Sequence, residues 1–132
     1  MQSKPAGMNY TIKKDDQYSL IKTDLSVMNK DTCNLLSEKV WHESDSSSKY
    51  VIVNIEDVKD CTADGVRELI KLAQDLRDKD GMLILTHASE SFYRLFNKAD
   101  ITFIPTDTEA IDFVFMDHLE KQFLNMDDDS IA

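Results

Sequence analysis

Apolar positions along the chain change their period several times, and each change marks an element. Residues 8 to 13 and 17 to 25 read as two strands on either side of the polar turn Lys14-Asp15-Asp16, which predicts a hairpin or adjacent edge strands. Asn29 or Asp31 can cap a helix to about Glu43, with Leu36, Val40 and Trp41 near one face. Tyr50 to Ile55 is apolar at five of six positions, the pattern of a strand covered on both faces. From Thr62 onward Val66, Leu69, Ile70, Ala73 and Leu76 recur at helical spacing opposite Arg67, Glu68, Lys71, Asp75 and Asp78, and Gly81 resets the chain after that helix. Met82 to Leu85 is a further apolar strand. Ser89 opens a short helix whose Phe92, Leu95, Phe96 and Ala99 fall at i, i+3, i+4 and i+7. A strand at 102–104, a break at Pro105 and a helix from about Thr108 to Phe123 follow.

A strand pair followed by alternating helix and strand predicts an α/β domain with a mixed, mainly parallel sheet of about four or five strands and about four helices. Low-complexity sequence is confined to a flexible leader at 1–7, the serine run at 44–48 and an acidic, flexible tail at 125–132, so one domain is expected over 8–124. Met8 is a candidate natural start. A chain of 132 residues buries about two thirds of the surface its unfolded form exposes, enough for one core without a disulfide or metal.

Charge narrows the choice of partner. Acids outnumber bases 25 to 15, a formal net charge of −10, and the bases form no stripe. Nucleic acid and anionic membranes both bind through cationic contacts, so neither is an expected partner, and a basic protein surface fits better. Cys33 and Cys61 have no C-x-x-C spacing, and no apolar run reaches the ~20 residues of a membrane span, which leads to the expectation of a reduced, cytoplasmic protein without direct membrane insertion.

The candidate chemistry centres on Asp60 to Lys71. A strand running through an acidic turn into a helix start presents free backbone N–H groups and the positive end of the helix dipole. Thr62 is a natural N-cap there. Asp64 belongs to the first turn, where an acid stabilises a helix by ~0.3–1 kcal/mol whatever else it does. Gly65 costs ~1 kcal/mol against alanine in a helix, which points to close approach of a neighbouring backbone. Cys61 has no histidine near it in sequence. His42, His87 and His118 have no ligand-type spacing, and Glu56, Asp57 and Asp60 read as a solvated acidic loop. Neither a metal nor a cofactor is expected, and no constellation of nucleophile, base and orienting group marks an enzyme. The last helix carries Ile111, Phe113, Val114, Phe115, Met116, Leu119 and Phe123, more than one stripe needs. Deep packing is the expected reading, and a contact surface for another subunit, as in a weak homodimer, or for a partner is the alternative.

The strand VIVNIEDV, the helix start CTADGV, the strand GMLILTHAS, the helix SFYRLFNKADI and the ending FIPTDTEAIDFV, in that order, resemble the STAS domain of bacterial anti-sigma factor antagonists and of sulfate-transporter tails, over roughly Tyr18 to Leu119. The resemblance implies a non-catalytic signalling module that docks an anti-sigma factor of the serine-kinase type. Its loop in that family reads Asp-Ser-Ser/Thr-Gly, the first hydroxyl being phosphorylated. Matched on Gly65, this chain reads Thr62-Ala63-Asp64-Gly65, so Ala63 stands at the phosphoacceptor position, and Asn29 stands where the family carries an aspartate before its first helix. Three readings of the loop are open: a permanently unphosphorylated, binding-competent module, which is preferred; Asp64 standing in for phosphate; or a site moved to Thr62. The implied docking surface comprises Asn29, Asp60, Cys61, Thr62, Ala63, Asp64, Gly65, Arg67, Glu68 and Lys71. Two alternative functions are a scaffold subunit of a larger transport or stress-signalling assembly, and a degenerate response-regulator receiver with Asp57 as the acceptor.

Overall fold

A computed structural model describes residues 9–43, 50–96 and 101–131. The serine run, the leader and Ala99 lie outside the described residues. Strands β1 (Tyr10–Lys14) and β2 (Tyr18–Thr23) form the expected hairpin, closed by the Asp15 N–H on the Tyr18 carbonyl at 2.9 Å. A two-residue strand β3 (Val27–Met28) leads into α1 (Lys30–Glu43). The chain then runs through β4 (Tyr50–Asn54), a second two-residue strand β5 (Asp60–Cys61), α2 (Ala63–Asp78), β6 (Met82–Thr86), α3 (Glu90–Arg94), β7 (Thr102–Ile104) and α4 (Asp107–Ile131). The main sheet has the order β1-β2-β4-β6-β7, antiparallel only at β1, and β3 pairs with β5 in a small parallel sheet of its own. The expected α/β architecture with a five-stranded mixed, mainly parallel sheet is therefore observed.

Alternation along the strands divides the core. Ile21, Val53 and Leu85 lie in one register row and, with Val51 and Leu83, face α1 and α2, where Leu36, Val40, Leu69, Leu72 and Leu76 meet them. Each such leucine, fully buried, contributes about 1.5–3 kcal/mol. On the other face Tyr18, Tyr50, Ile52 and Ile84 meet only Ala110 and Val114 of α4 among the buried residues. Among the described residues that face is thus covered by a single helix.

Four sequence expectations change here. The inward face of α2 is set by Gly65, Leu69, Leu72, Ala73 and Leu76, while Val66 and Ile70 are only half-buried. The residue that turns the chain after α2 is Asp80, at φ 66°, not Gly81; the Gly81 N–H reaches the Leu76 carbonyl at 2.7 Å and the Asp80 N–H that of Arg77 at 2.9 Å, the two bonds of a Schellman ending. Helix α3 is little more than one turn, so Phe92 and Phe96 are buried against Phe103 while Leu95, at its end, points outward. Helix α4 starts at a Thr106 cap, whose hydroxyl accepts from the Glu109 N–H at 3.2 Å, and its backbone is helical past Phe123 to Ile131. Deep packing of α4 is not observed: Phe115, Met116, Leu119, Phe123 and Leu124 are exposed.

The topology also removes the receiver reading. Receivers place their acceptor where the order of parallel strands reverses, whereas here β2, β4, β6 and β7 follow one another without reversal. Asp57 lies 3.8 Å from Lys22 in an exposed ion pair.

Candidate functional site at the paired helix starts

The small β3–β5 sheet brings two helix starts side by side. Val27 pairs with Asp60 and Met28 with Cys61. The Lys59 and Asp60 N–H groups both reach the Ser26 carbonyl, at 2.7 and 3.2 Å, and the Thr62 N–H donates to the Met28 carbonyl at 2.9 Å. Asn29 and Thr62 thus lie at the ends of adjoining strands, each capping a helix.

The caps are built differently. At α1 the Asn29 Oδ1 accepts from the Thr32 N–H at 2.9 Å and the Thr32 Oγ1 accepts from the Asn29 N–H at 2.8 Å, a reciprocal arrangement of capping-box type. Of the two cap candidates there, Asn29 is the one used. At α2 the Thr62 backbone is extended and its hydroxyl accepts from the Gly65 N–H at 3.1 Å, as expected of an N-cap. Asp64, in the first turn, forms an i,i+3 ion pair with Arg67, both side chains well exposed. Such a pair adds at most about 1 kcal/mol to stability, yet it places a guanidinium directly beside the Asp64 carboxylate.

Gly65 explains why the two starts can touch. A Cβ there would sit 2.3 Å from the Met28 carbonyl oxygen and 2.8 Å from its carbon, so only glycine lets the first turn of α2 lie against β3. The close backbone approach read from the sequence is present. Gly65 itself is buried, and Cys61 half-buried, so within the candidate surface they position the loop, while Asp60, Thr62, Ala63, Asp64, Arg67 and Lys71 are exposed and Glu68 and Asn29 partly so. Of the stretch Ser26 to Asn29 ahead of the first helix the sequence placed only Asn29 on the surface, whereas the backbone of Ser26, Val27 and Met28 carries the platform; the apolar pair ahead of the Asn29 cap was the available signal. It also missed Lys22, which reaches from β2 to Glu56 at 3.3 Å and ties down the acidic turn.

The two thiols lie at the same junction. The Cys33 S–H lies 3.8 Å from the Met28 sulfur and 3.7 Å from the Gly65 carbonyl. Burial, then the neighbouring Cys61 and Glu68, push the Cys33 thiol up to about 12, and burial pushes Cys61 up to about 11. Both are poor nucleophiles, because the thiolate is the reactive form. Iodoacetamide at neutral pH is therefore expected to leave both unlabelled in the folded protein and to label both after unfolding, by intact-mass measurement. Because each folded thiol holds its proton to higher pH than the unfolded one, whose ordinary value is 9.0, their contribution to stability is complete below about pH 9 and is lost as pH rises toward 11 to 12. Rapid labelling of either thiol at neutral pH would contradict this environment.

No grouping of histidine, cysteine or carboxylate among the described residues could hold a metal ion, and no described helix is long and apolar enough to cross a membrane. No protein-family model and no curated protein sequence matches the chain. Its backbone, however, superposes on solved structures. SpoIIAA, an anti-sigma factor antagonist in its unphosphorylated form, aligns with a TM-score of 0.62 at 18% identity over 80% of this chain and 97% of that one. An anti-sigma factor antagonist from Mycobacterium paratuberculosis gives 0.66 at 14% identity over 86% and 98%. This is the STAS fold. The murine anion transporter Slc26a9 contains the same fold, with a TM-score of 0.67 at 13% identity; 79% of this chain matches, but it spans only 18% of the transporter. SpoIIAA has also been solved in a phosphorylated form. At these identities the likeness establishes the STAS architecture, and the function of this chain rests on its own residues.

Proposed function

We propose that this STAS protein is a non-catalytic binding module that docks a signalling partner, of the anti-sigma factor serine-kinase type, through the β5–α2 loop and the outer side of α2. The observation that carries the reading is the loop itself. A rigid, doubly capped platform presents Thr62, Ala63, Asp64, Arg67 and Lys71 to solvent while Gly65 locks it to β3. The likeness to antagonists over nearly their whole length supports that class of partner. The module works in the cytoplasm and takes part in transcriptional regulation.

The same loop supports operation without the serine switch. Ala63 has no hydroxyl, and the Thr62 hydroxyl is engaged as the cap of α2. Asp64 carries less charge and fewer acceptor oxygens than a phosphoserine, and its carboxylate faces Arg67. It is thus a poor phosphate substitute. The module is permanently binding-competent, and phosphate found on Thr62 in protein from its native cell would overturn that.

Charge reversal separates docking from folding. Arg67→Glu or Glu68→Arg on the outer side of α2 is expected to change stability by less than about 1 kcal/mol and to abolish recovery of the kinase-type partner by tagged protein. Unchanged recovery by both variants would remove this surface from the interface. A scaffold role is the second reading, supported by the occurrence of the fold as a small part of an anion transporter; recovery of a multi-subunit assembly regardless of these substitutions would favour it.

A further inference from the structure

Helix α4 carries an apolar surface that the fold does not use. Its inner side is spent on the sheet through Ala110 and Val114. Its outer side exposes Met116 at 66%, Leu119 at 50% and Phe123 at 62%. These three are spaced by three and four residues, the seam that one helix offers to another. The seam borders a shallow depression that also takes in Phe113, Asp117 and Glu120.

The surface is held rigid. The Tyr50 hydroxyl donates to Asp117 at 2.5 Å and accepts from the Lys121 ammonium at 3.0 Å, and Lys121 lies 5.3 Å over the Tyr50 ring. Burial, and then the Asp117 bond, raise the Tyr50 phenol, so it stays a neutral donor. This clamp fixes the middle of α4 to β4 at the level of the seam. A partner meets a preformed ridge and has little ordering to do.

Charge decides what that partner is. Among the described side chains of α4, Asp107 and Asp117 are held by Asn54, Thr86 and Tyr50, while Glu109, Asp112 and Glu120 are exposed, against Lys121 as the helix's one lysine or arginine, itself bound to Tyr50. A second copy would bring two acidic helices together, and an anionic lipid surface would be repelled in the same way. We infer that the outer face of α4 around Met116, Leu119 and Phe123 docks a cationic amphipathic helix of a partner protein. Lysines or arginines flanking its apolar seam lie against Glu120. This surface lies on the opposite side of the sheet from α2, so one molecule can hold two partners.

The test uses two synthetic helical peptides with leucines at the same three-and-four spacing, one filled with lysine and one with glutamate. In fluorescence anisotropy the lysine peptide is expected to bind, more weakly at higher salt, and the glutamate peptide not to bind. Leu119→Gln with Phe123→Gln should weaken binding at least about tenfold, and Glu120→Lys should weaken it further at low salt. Thermal melting of the double variant should match the wild type, because both side chains are exposed. Arg67→Glu should leave peptide binding unchanged, which separates this surface from that on α2. Equal binding of both peptides, or undiminished binding by the double variant, would overturn the inference. So would a wild-type dimer in sedimentation that the double variant dissolves, or variant-sensitive binding to phosphatidylglycerol vesicles.

Discussion

Gly65→Ala is expected to lower the melting temperature by roughly 8 °C, about 2 kcal/mol of stability at about 4 °C per kcal/mol for a domain of this size. Two effects oppose each other. Alanine in a helix is intrinsically better than glycine by ~1 kcal/mol. Against that, the added methyl would meet the Met28 carbonyl oxygen at 2.3 Å and its carbon at 2.8 Å, with the Cys61 sulfur at 3.1 Å. The first two atoms are backbone, and Met28 cannot step aside, since its strand is paired with β5 and its carbonyl accepts from the Thr62 N–H. Relief requires α2 to move off β3, loosening the Thr62 bond and the packing of Leu69 below it. Overpacking of this kind costs ~1–3 kcal/mol and more where backbone must shift, so the clash wins. Circular dichroism melting decides. A variant as stable as the wild type would mean that α2 does not lie against β3, and the platform would lose its rigid basis.

How much of this was legible in the sequence follows from the length of the signal each element carries. The runs at β4 and β6 each begin with four apolar residues, and they emerge as strands buried on both faces. Thr62 and Ser89 could be named as caps because cap chemistry is local. By contrast β3 and β5 have two residues each, shorter than any periodicity, and they exist only because the chain pairs them at a distance. The buried face of α2, Gly65, Leu69, Leu72, Ala73 and Leu76, falls at i, i+4, i+7, i+8 and i+11 and was present in the sequence, but Val66 and Ile70 beside it made a second apolar stripe equally readable. Helix α4 misled for a related reason. Its apolar residues cover too wide an arc for one contact, and packing was the natural expectation, but the helix buries Ala110 and Val114 on the sheet, half-buries Ile111 and Phe113, and leaves Met116, Leu119, Phe123 and Leu124 exposed. At the candidate site the exposed residues were legible from motif order, while the backbone that holds them was not.

Asp107→Ala is expected to destabilise the fold by about 3 kcal/mol, because it removes the acceptor that joins two central strands to α4. The Asn54 side-chain amide donates to one Asp107 oxygen at 2.8 Å and the Thr86 hydroxyl to the other at 2.5 Å. Asn54 and Thr86 are adjacent in the β4–β6 register, and both are buried. Without Asp107 two buried donors lose a charged partner, at ~1.5–3 kcal/mol for such a bond, while Asn54 stays pinned by its own oxygen on the Glu56 N–H. The lost negative charge at the start of α4 adds ~0.3–1 kcal/mol, and rotation of the Thr86 hydroxyl to another acceptor recovers part. Asp107→Asn should cost about half as much, since its single oxygen can serve one donor and the Thr86 hydroxyl can turn to accept from its amide. Urea unfolding of the two variants separates a specific acceptor role from simple loss of volume. No loss in either would mean that α4 is held to the sheet by Ala110, Val114 and the Tyr50 clamp alone, and equal losses would mean that the carboxylate's charge, not its second acceptor oxygen, does the holding. A graded loss would identify Asp107 as the point from which the helix, and with it the outer ridge at Met116 and Phe123, is aimed.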